Sequence, residues 1–187
     1  SSAAIADRPR FFEGATAHFI EEGIPEMNQV WARCTYVNCW FVGDHESLAM
    51  WDRYGKVAIK SSIVKLKEAI QSDNEFCLGP VNYIDYERDM MSQANAFSPF
   101  FHKRIAYEHE REFRILTFLE ENIKPAQEKK TLDEGLCIPI EVEQLVDSIV
   151  ISPNATEEEK NEVMKLLEKY SLANKLSGSS INRVPQF

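Results

Sequence analysis

Fourteen consecutive residues constrain this chain more than any others: Phe101-His-Lys-Arg-Ile-Ala-Tyr-Glu-His-Glu-Arg-Glu-Phe-Arg114. They carry three glutamates, two histidines, one lysine and three arginines, and they run straight into the apolar segment Ile115-Leu-Thr-Phe-Leu119. Charges this dense, leading into a segment that must be buried, need partners of opposite sign or hydrogen bonds. A fold that accepts this block therefore gathers its acids and bases at one place. Read as a strand, Tyr107 to Arg114 puts Glu108, Glu110, Glu112 and Arg114 on one face and His109, Arg111 and Phe113 on the other. Read as a helix, it keeps Glu108 and Glu112 one turn apart, and likewise Lys103 and Tyr107. Either geometry brings two carboxylates near basic groups. That arrangement suits an ion-pair network tying elements together, and equally a site that binds hydroxyls or stabilises a developing cation.

The rest of the chain supplies the core such a block requires. Its 187 residues include eleven Phe, six Tyr and three Trp, enough for one packed domain. The net charge of −9 argues against broad binding to duplex nucleic acid or to anionic membrane. No run of eighteen apolar residues could span a bilayer, and residues 1–10 lack the apolar stretch of a signal peptide. Cys34, Cys39, Cys77 and Cys137 form no Cys-x-x-Cys pair and read as buried free thiols of a cytoplasmic protein. His102 and His109 are wrongly spaced for a helix-face metal pair, and no metal site is expected.

Periodicity and turn residues predict the elements. Residues 1–14 read as an N-terminal arm and 15–187 as a single α+β domain. One or two helices broken at Pro25 cover Ala15 to Arg33. Thr35 to Val42 is a buried strand. Asp44 caps a helix to Tyr54, with Leu48, Trp51 and Tyr54 on one face, and Gly55 ends it. Val57 to Ser61 is a strand, and Ser62 caps a helix bearing Ile63, Leu66 and Ile70. Phe76 to Tyr86 is extended and interrupted by Gly79-Pro80. Pro99 opens a short helix to about His109, Arg111 to Leu119 is a strand, and Glu120 to Glu134 is a surface loop. Gly135 to Ile140 and Leu145 to Ser152 are strands. Thr156-Glu-Glu-Glu159 is a capping box opening a helix, and the tail contributes an edge strand. The expected fold is a mixed, largely antiparallel sheet of five to six strands with four to five helices packed on it. No Gly-x-Gly-x-x-Gly, P-loop or nucleophile elbow is present.

A second cluster of candidates precedes the charged block. Trp51 and Tyr54 stand at helical spacing, which suits core packing or a stacking platform. Lys60, Ser61 and Ser62 lie where a strand meets a helix start, which suits a plain helix cap or contact with a phosphate or ribose.

Taken together, these stretches resemble a bacterial family described as domain of unknown function 2971. The resemblance is carried by Phe12-Glu13-Gly14, Cys39-Trp40-Phe41, Met50-Trp51-Asp52-Arg53-Tyr54, Val57 to Ser61, Val81-Asn82-Tyr83, Lys103-Arg104, Glu110, Glu112, Arg114, Ser179-Ser180 and Pro185. It covers roughly residues 11 to 187. Relatives usually carry a further N-terminal strand, and this chain is expected to begin after it. A looser resemblance to ADP-ribosyltransferase-like folds implies roles. Tyr54 would stack on nicotinamide and Ser61 would order Glu112. Glu112, with Glu110 beside it, would hold a ribose hydroxyl as the glycosidic bond loosens. Lys103 or Arg114 would neutralise the pyrophosphate, with Trp51, Lys60 and Ser62 completing the binding set. The implied function is a nucleotide- or NAD-handling enzyme, a transferase or glycohydrolase in bacterial (phage) defence or a toxin system, with NAD as substrate. The alternatives are a noncatalytic module binding a nucleotide or a protein, and a metal-dependent phosphodiesterase using Glu108, His109 and Glu112.

Overall fold

The computed structural model describes residues 24–91, 95–132 and 135–181. The expected arm at 1–14, the first part of the Ala15–Arg33 helix, Phe12-Glu13-Gly14 and Pro185 lie outside the described residues. Among those described, the chain is α+β. Cα packing divides it into two units. One ends its first segment at Asn38 and adds Glu75–Cys77 and Leu116–Leu136; the other holds Cys39–Asn74, Leu78–Ile115 and the chain from Cys137 onward. No helix among the described residues is long and apolar enough to cross a membrane.

In the first unit, α1 (Ile24–Cys34) places Trp31 in a stacked contact with Phe118, ring centroids 4.7 Å apart. Cys34 at its end is fully buried. The Arg33 guanidinium donates to the Ala126 carbonyl at 2.7 Å and to the Lys130 carbonyl. Those carbonyls belong to a segment expected as surface loop. It is instead a 3-10 turn at Glu120–Asn122 followed by α4 (Ile123–Gln127). Pro125 does not prevent this, because the N–H it lacks would have no partner in a first turn.

Among the described residues the strands form three small sheets rather than one of five to six. β1 (Thr35–Phe41), β6 (Glu112–Phe118) and β3 (Phe76–Pro80) make one, with β6 in the middle. The central place explains why β6 is buried almost throughout, with Ile115, Leu116 and Thr117 no more than 7 % exposed. β1, expected to be buried, is exposed at Val37, Asn38 and Cys39.

The second sheet is β2 (Val57–Lys60), β7 (Ser148–Ile151) and β8 (Leu176–Ser177), with β2–β7 antiparallel and β7–β8 parallel. The third pairs β4 (Asn82–Ile84) with β5 (His102–Arg104) in parallel. Prolines stand where longer strands were expected. Pro80 closes β3, and the Gly135–Ile140 stretch, holding Pro139, makes a lone bridge from Ile140 to Ile70.

The helices of the second unit are short except the last. α2 (Leu48–Tyr54) starts later than Asp44 suggests: Ser47 is its N-cap and makes no side-chain cap bond. Only Trp51 of its expected apolar face is buried; Leu48 is 53 % and Tyr54 60 % exposed. Gly55, at φ 118°, ends it in a conformation that favours glycine. α3 (Ile63–Ala69) is capped by the Ser62 hydroxyl, which accepts from the Lys65 N–H at 3.3 Å. α5 (Val142–Leu145) lies ahead of the expected strand and takes its first residue, Leu145. α6 (Glu157–Lys169) opens on the full capping box of Thr156 and Glu159. The cysteines depart from expectation too: Cys34 is buried, but Cys39, Cys77 and Cys137 are exposed, and all four are free thiols.

Candidate functional site

The site grows out of two local turns. β5 lies parallel to β4 with Lys103 opposite Tyr83. After Arg104 the chain makes a 3-10 turn, Ile105–Glu110, where a continuous helix from Pro99 was expected. Arg111 then takes a left-handed conformation, φ 42° and ψ 53°, and its N–H bonds to the Glu108 carbonyl. A non-glycine residue in that region is uncommon and is held there by its surroundings. The effect is to swing the chain back, so that Glu110 and Glu112 both return to Lys103.

The Lys103 ammonium donates to Glu112 Oε1 at 2.7 Å and to Glu110 Oε2. Arg114 shares a face of β6 with Glu112, and its Nε donates to Glu112 Oε2 at 2.7 Å. The Arg114 Nη1 also donates to the Phe100 carbonyl at 2.5 Å. The Glu112 backbone N–H donates to the Tyr83 hydroxyl at 2.8 Å. Lys103 also lies over the Tyr107 ring, 4.8 Å from its centroid.

The two carboxylates are not equivalent. Glu112 has both oxygens occupied. Burial by itself would push its pKa up, but the bonds from Arg114 and Lys103 outweigh burial and hold it at about 2, below the ordinary 4.5. Burial would likewise lower the Lys103 pKa, and the bonds to Glu110 and Glu112 raise it above the ordinary value instead. Glu110 is more deeply set, at 1 % exposure. Its Oε2 is taken by Lys103, while its Oε1 has no hydrogen-bond donor among the described residues. The nearest cation to that oxygen is Arg53 Nη2 at 3.5 Å, from a side chain that is half exposed. Arg53 belongs to α2, so this helix reaches Glu110 through that ion pair.

Of the residues nominated from sequence, Glu110, Glu112, Lys103 and Arg114 come together. Tyr54 is adjacent through Arg53, whose guanidinium sits 5.7 Å from its ring. Trp51 is buried and turned to another carboxylate: its Nε1 donates to Glu46 Oε2 at 3.1 Å. Ser61 donates to the Leu145 carbonyl at 2.6 Å, and the Lys60 carbonyl accepts from the Asp147 N–H at 2.9 Å. These two, with the cap Ser62, serve the seam between β2, β7 and α5. Arg53 and Tyr83 were not nominated, although both stand inside the quoted motifs. Glu108 and His109 are exposed. No group of three or more His, Cys, Asp or Glu side chains among the described residues is placed to hold a metal ion.

One further cluster was missed. Glu46 Oε2 accepts from the Ser179 hydroxyl at 2.8 Å as well as from Trp51, and Glu46 Oε1 accepts from the Ser180 N–H at 2.5 Å and the Ser180 hydroxyl at 2.8 Å. Burial opposes its charge, yet the bonds from Ser180, Ser179 and Trp51 win and its pKa lies below the ordinary carboxylate value. Comparison of the chain with known protein families, with curated proteins and with solved structures returns no match.

Proposed function

We propose that this chain binds a nucleotide or NAD-like molecule at the Glu110 network and acts on it as a transferase or glycohydrolase in the cytoplasm. The observation that carries this reading is the Glu110 Oε1 oxygen: buried, without a hydrogen bond among the described residues, and approached only by the half-exposed Arg53 guanidinium at 3.5 Å. Such an atom costs about 1–3 kcal/mol until something donates to it.

Charge narrows the donor. Arg53, Lys103 and Arg114 bring three positive charges and Glu110 and Glu112 two negative ones, a balance of +1. A cationic ligand gains little there; a sugar hydroxyl on a phosphate-bearing molecule satisfies both needs. The hydroxyl donates to Glu110 Oε1, and Arg53 turns its exposed face to the phosphate. This assigns the hydroxyl to Glu110 rather than Glu112, and the phosphate to Arg53 rather than Lys103 or Arg114, because the others are already engaged. If NAD is the substrate, a carboxylate on the ribose hydroxyl stabilises the oxocarbenium ion that forms as nicotinamide leaves. The exposed Tyr54 ring beside Arg53 offers a stacking face.

A second reading is binding without chemistry. It is favoured by Glu112, the late glutamate that the resemblance nominates, having both oxygens held by Lys103 and Arg114. One experiment separates the two. The protein is incubated with NAD and nicotinamide release is followed, with Glu110→Gln and Glu112→Gln alongside. Release that Glu110→Gln abolishes supports the enzyme. A rise in thermal stability with NAD, without release, supports the binding module. Neither release nor a stability change with NAD overturns both.

A further inference from the structure

Glu46 and the segment after β8 hold a second device, independent of the ion network. The carboxylate gathers four neutral donors, three of them from Ser179 and Ser180, more than 130 residues further along the chain. The Ile181 N–H bonds back to the Ser179 hydroxyl at 3.3 Å, which tightens the turn at the contact.

This segment is also a wall. Ser177, Gly178 and Ser179 line an open hollow of ≈ 440 Å³ together with Ser152, Pro153 and Lys160. The hollow lies where β7 and β8 end. These strands are parallel and α6 connects them, so it occupies the carboxyl side of a β-α-β unit, where open sheets commonly take ligands. The wall is lightly built. β8 is two residues long. A side chain added at Gly178 would meet nothing within 4 Å, so the space on that side of the backbone is open.

We infer that residues 178–181 are a strap over this hollow, fastened at Glu46, and that unfastening it opens the hollow while the remainder of the unit stays folded. One carboxylate holds both serines, so a single negative charge placed at the fastening undoes all their bonds at once. Trp51 is the fixed side of the fastening, because it is buried within α2. The strap is the releasable side, because Ser180 is exposed.

The test is hydrogen exchange by mass spectrometry on the full chain. Ser180→Glu sets a carboxylate against Glu46, and the double variant Ser179→Ala/Ser180→Ala removes only the hydroxyls. Amides of Leu176–Ile181 are expected to exchange at least roughly tenfold faster in Ser180→Glu and less so in the double variant, in proportion to the charge-assisted bonds lost. Acylation of Lys160 should quicken with them. Amides of α6 and β7 should keep their rates. Unchanged exchange of Leu176–Ile181 in both variants overturns the inference. So does faster exchange across the whole unit in the mild double variant, which would make Glu46 a determinant of the fold and not a fastening.

Discussion

Glu46 and Glu110 are two carboxylates of the same unit with opposite surroundings. Glu46 is partly exposed and has four neutral donors on its two oxygens. Glu110 is almost fully buried, is flanked by cations, and keeps one oxygen without a donor. Glu112 stands between them: it is cation-flanked like Glu110 and saturated like Glu46. The contrast teaches that charge density does not mark the residue free to act. Among three acids held by local networks, only the one with an unfilled oxygen has bonding capacity left for a ligand.

The comparison can be broken at its strongest point first. Removing the shared cation with Lys103→Met leaves two buried carboxylates facing each other. Urea unfolding should show a loss on the order of 3–5 kcal/mol. A loss no larger than that of an exposed pair would mean that the network is a surface feature. The next test is acid. Glu112 has its pKa lowered to about 2 on folding, so its contribution is present above the ordinary carboxylate value and is lost as pH falls through about 2. Stability measured from pH 6 to pH 2 should therefore fall toward the acid end, Glu112 contributing on the order of 3 kcal/mol of the loss, and Glu112→Gln should flatten that slope. Lys103, whose pKa is raised, has the opposite sign: its contribution holds at neutral pH and fades only at strongly alkaline pH. Glu46→Gln keeps one acceptor oxygen and loses the charge, so a smaller loss of about 1–2 kcal/mol is expected in the same unfolding assay. Thr156→Ala, which removes the capping hydroxyl of α6, should cost about 1 kcal/mol and leave the strap segment's exchange unchanged.

Local rules made part of this legible in the sequence. The capping box at Thr156, the Ser62 cap, the glycine stop at Gly55 and the apolar run of β6 are each written within a few neighbouring residues, and each is found. What stayed hidden depends on partners far along the chain. β5 exists because His102–Arg104 pairs with Asn82–Ile84, so a stretch after Pro99 that reads as helix becomes strand. α4 forms in a charged stretch, and its Ala126 carbonyl is taken up by Arg33 of α1 at 2.7 Å, a partner far off in sequence. Two stretches expected as strands are shortened at prolines, β3 at Pro80 and the Gly135–Ile140 stretch at Pro139.

The candidate site follows the same division. Glu110, Glu112, Lys103 and Arg114 were visible as one block because they lie within twelve residues. Arg53 was not, since its contact with Glu110 spans two elements. Lys60, Ser61 and Ser62 had a plain structural use on offer, and cap and seam bonds are what they make. Glu46 carried little local signal: apart from Trp51, five residues on, its partners lie 133 and 134 residues away.

The central claim concerns one oxygen atom, and titration calorimetry reaches it most directly. ADP-ribose is titrated into the wild-type protein and into Glu110→Gln, Glu112→Gln and Arg53→Met. The account predicts measurable binding by the wild type and at least roughly tenfold weaker binding by Glu110→Gln, where the charge that draws the hydroxyl is gone. Arg53→Met should also weaken binding, and Glu112→Gln should weaken it less than Glu110→Gln. Equal affinity for the wild type and Glu110→Gln would contradict the account, and so would no binding by the wild type.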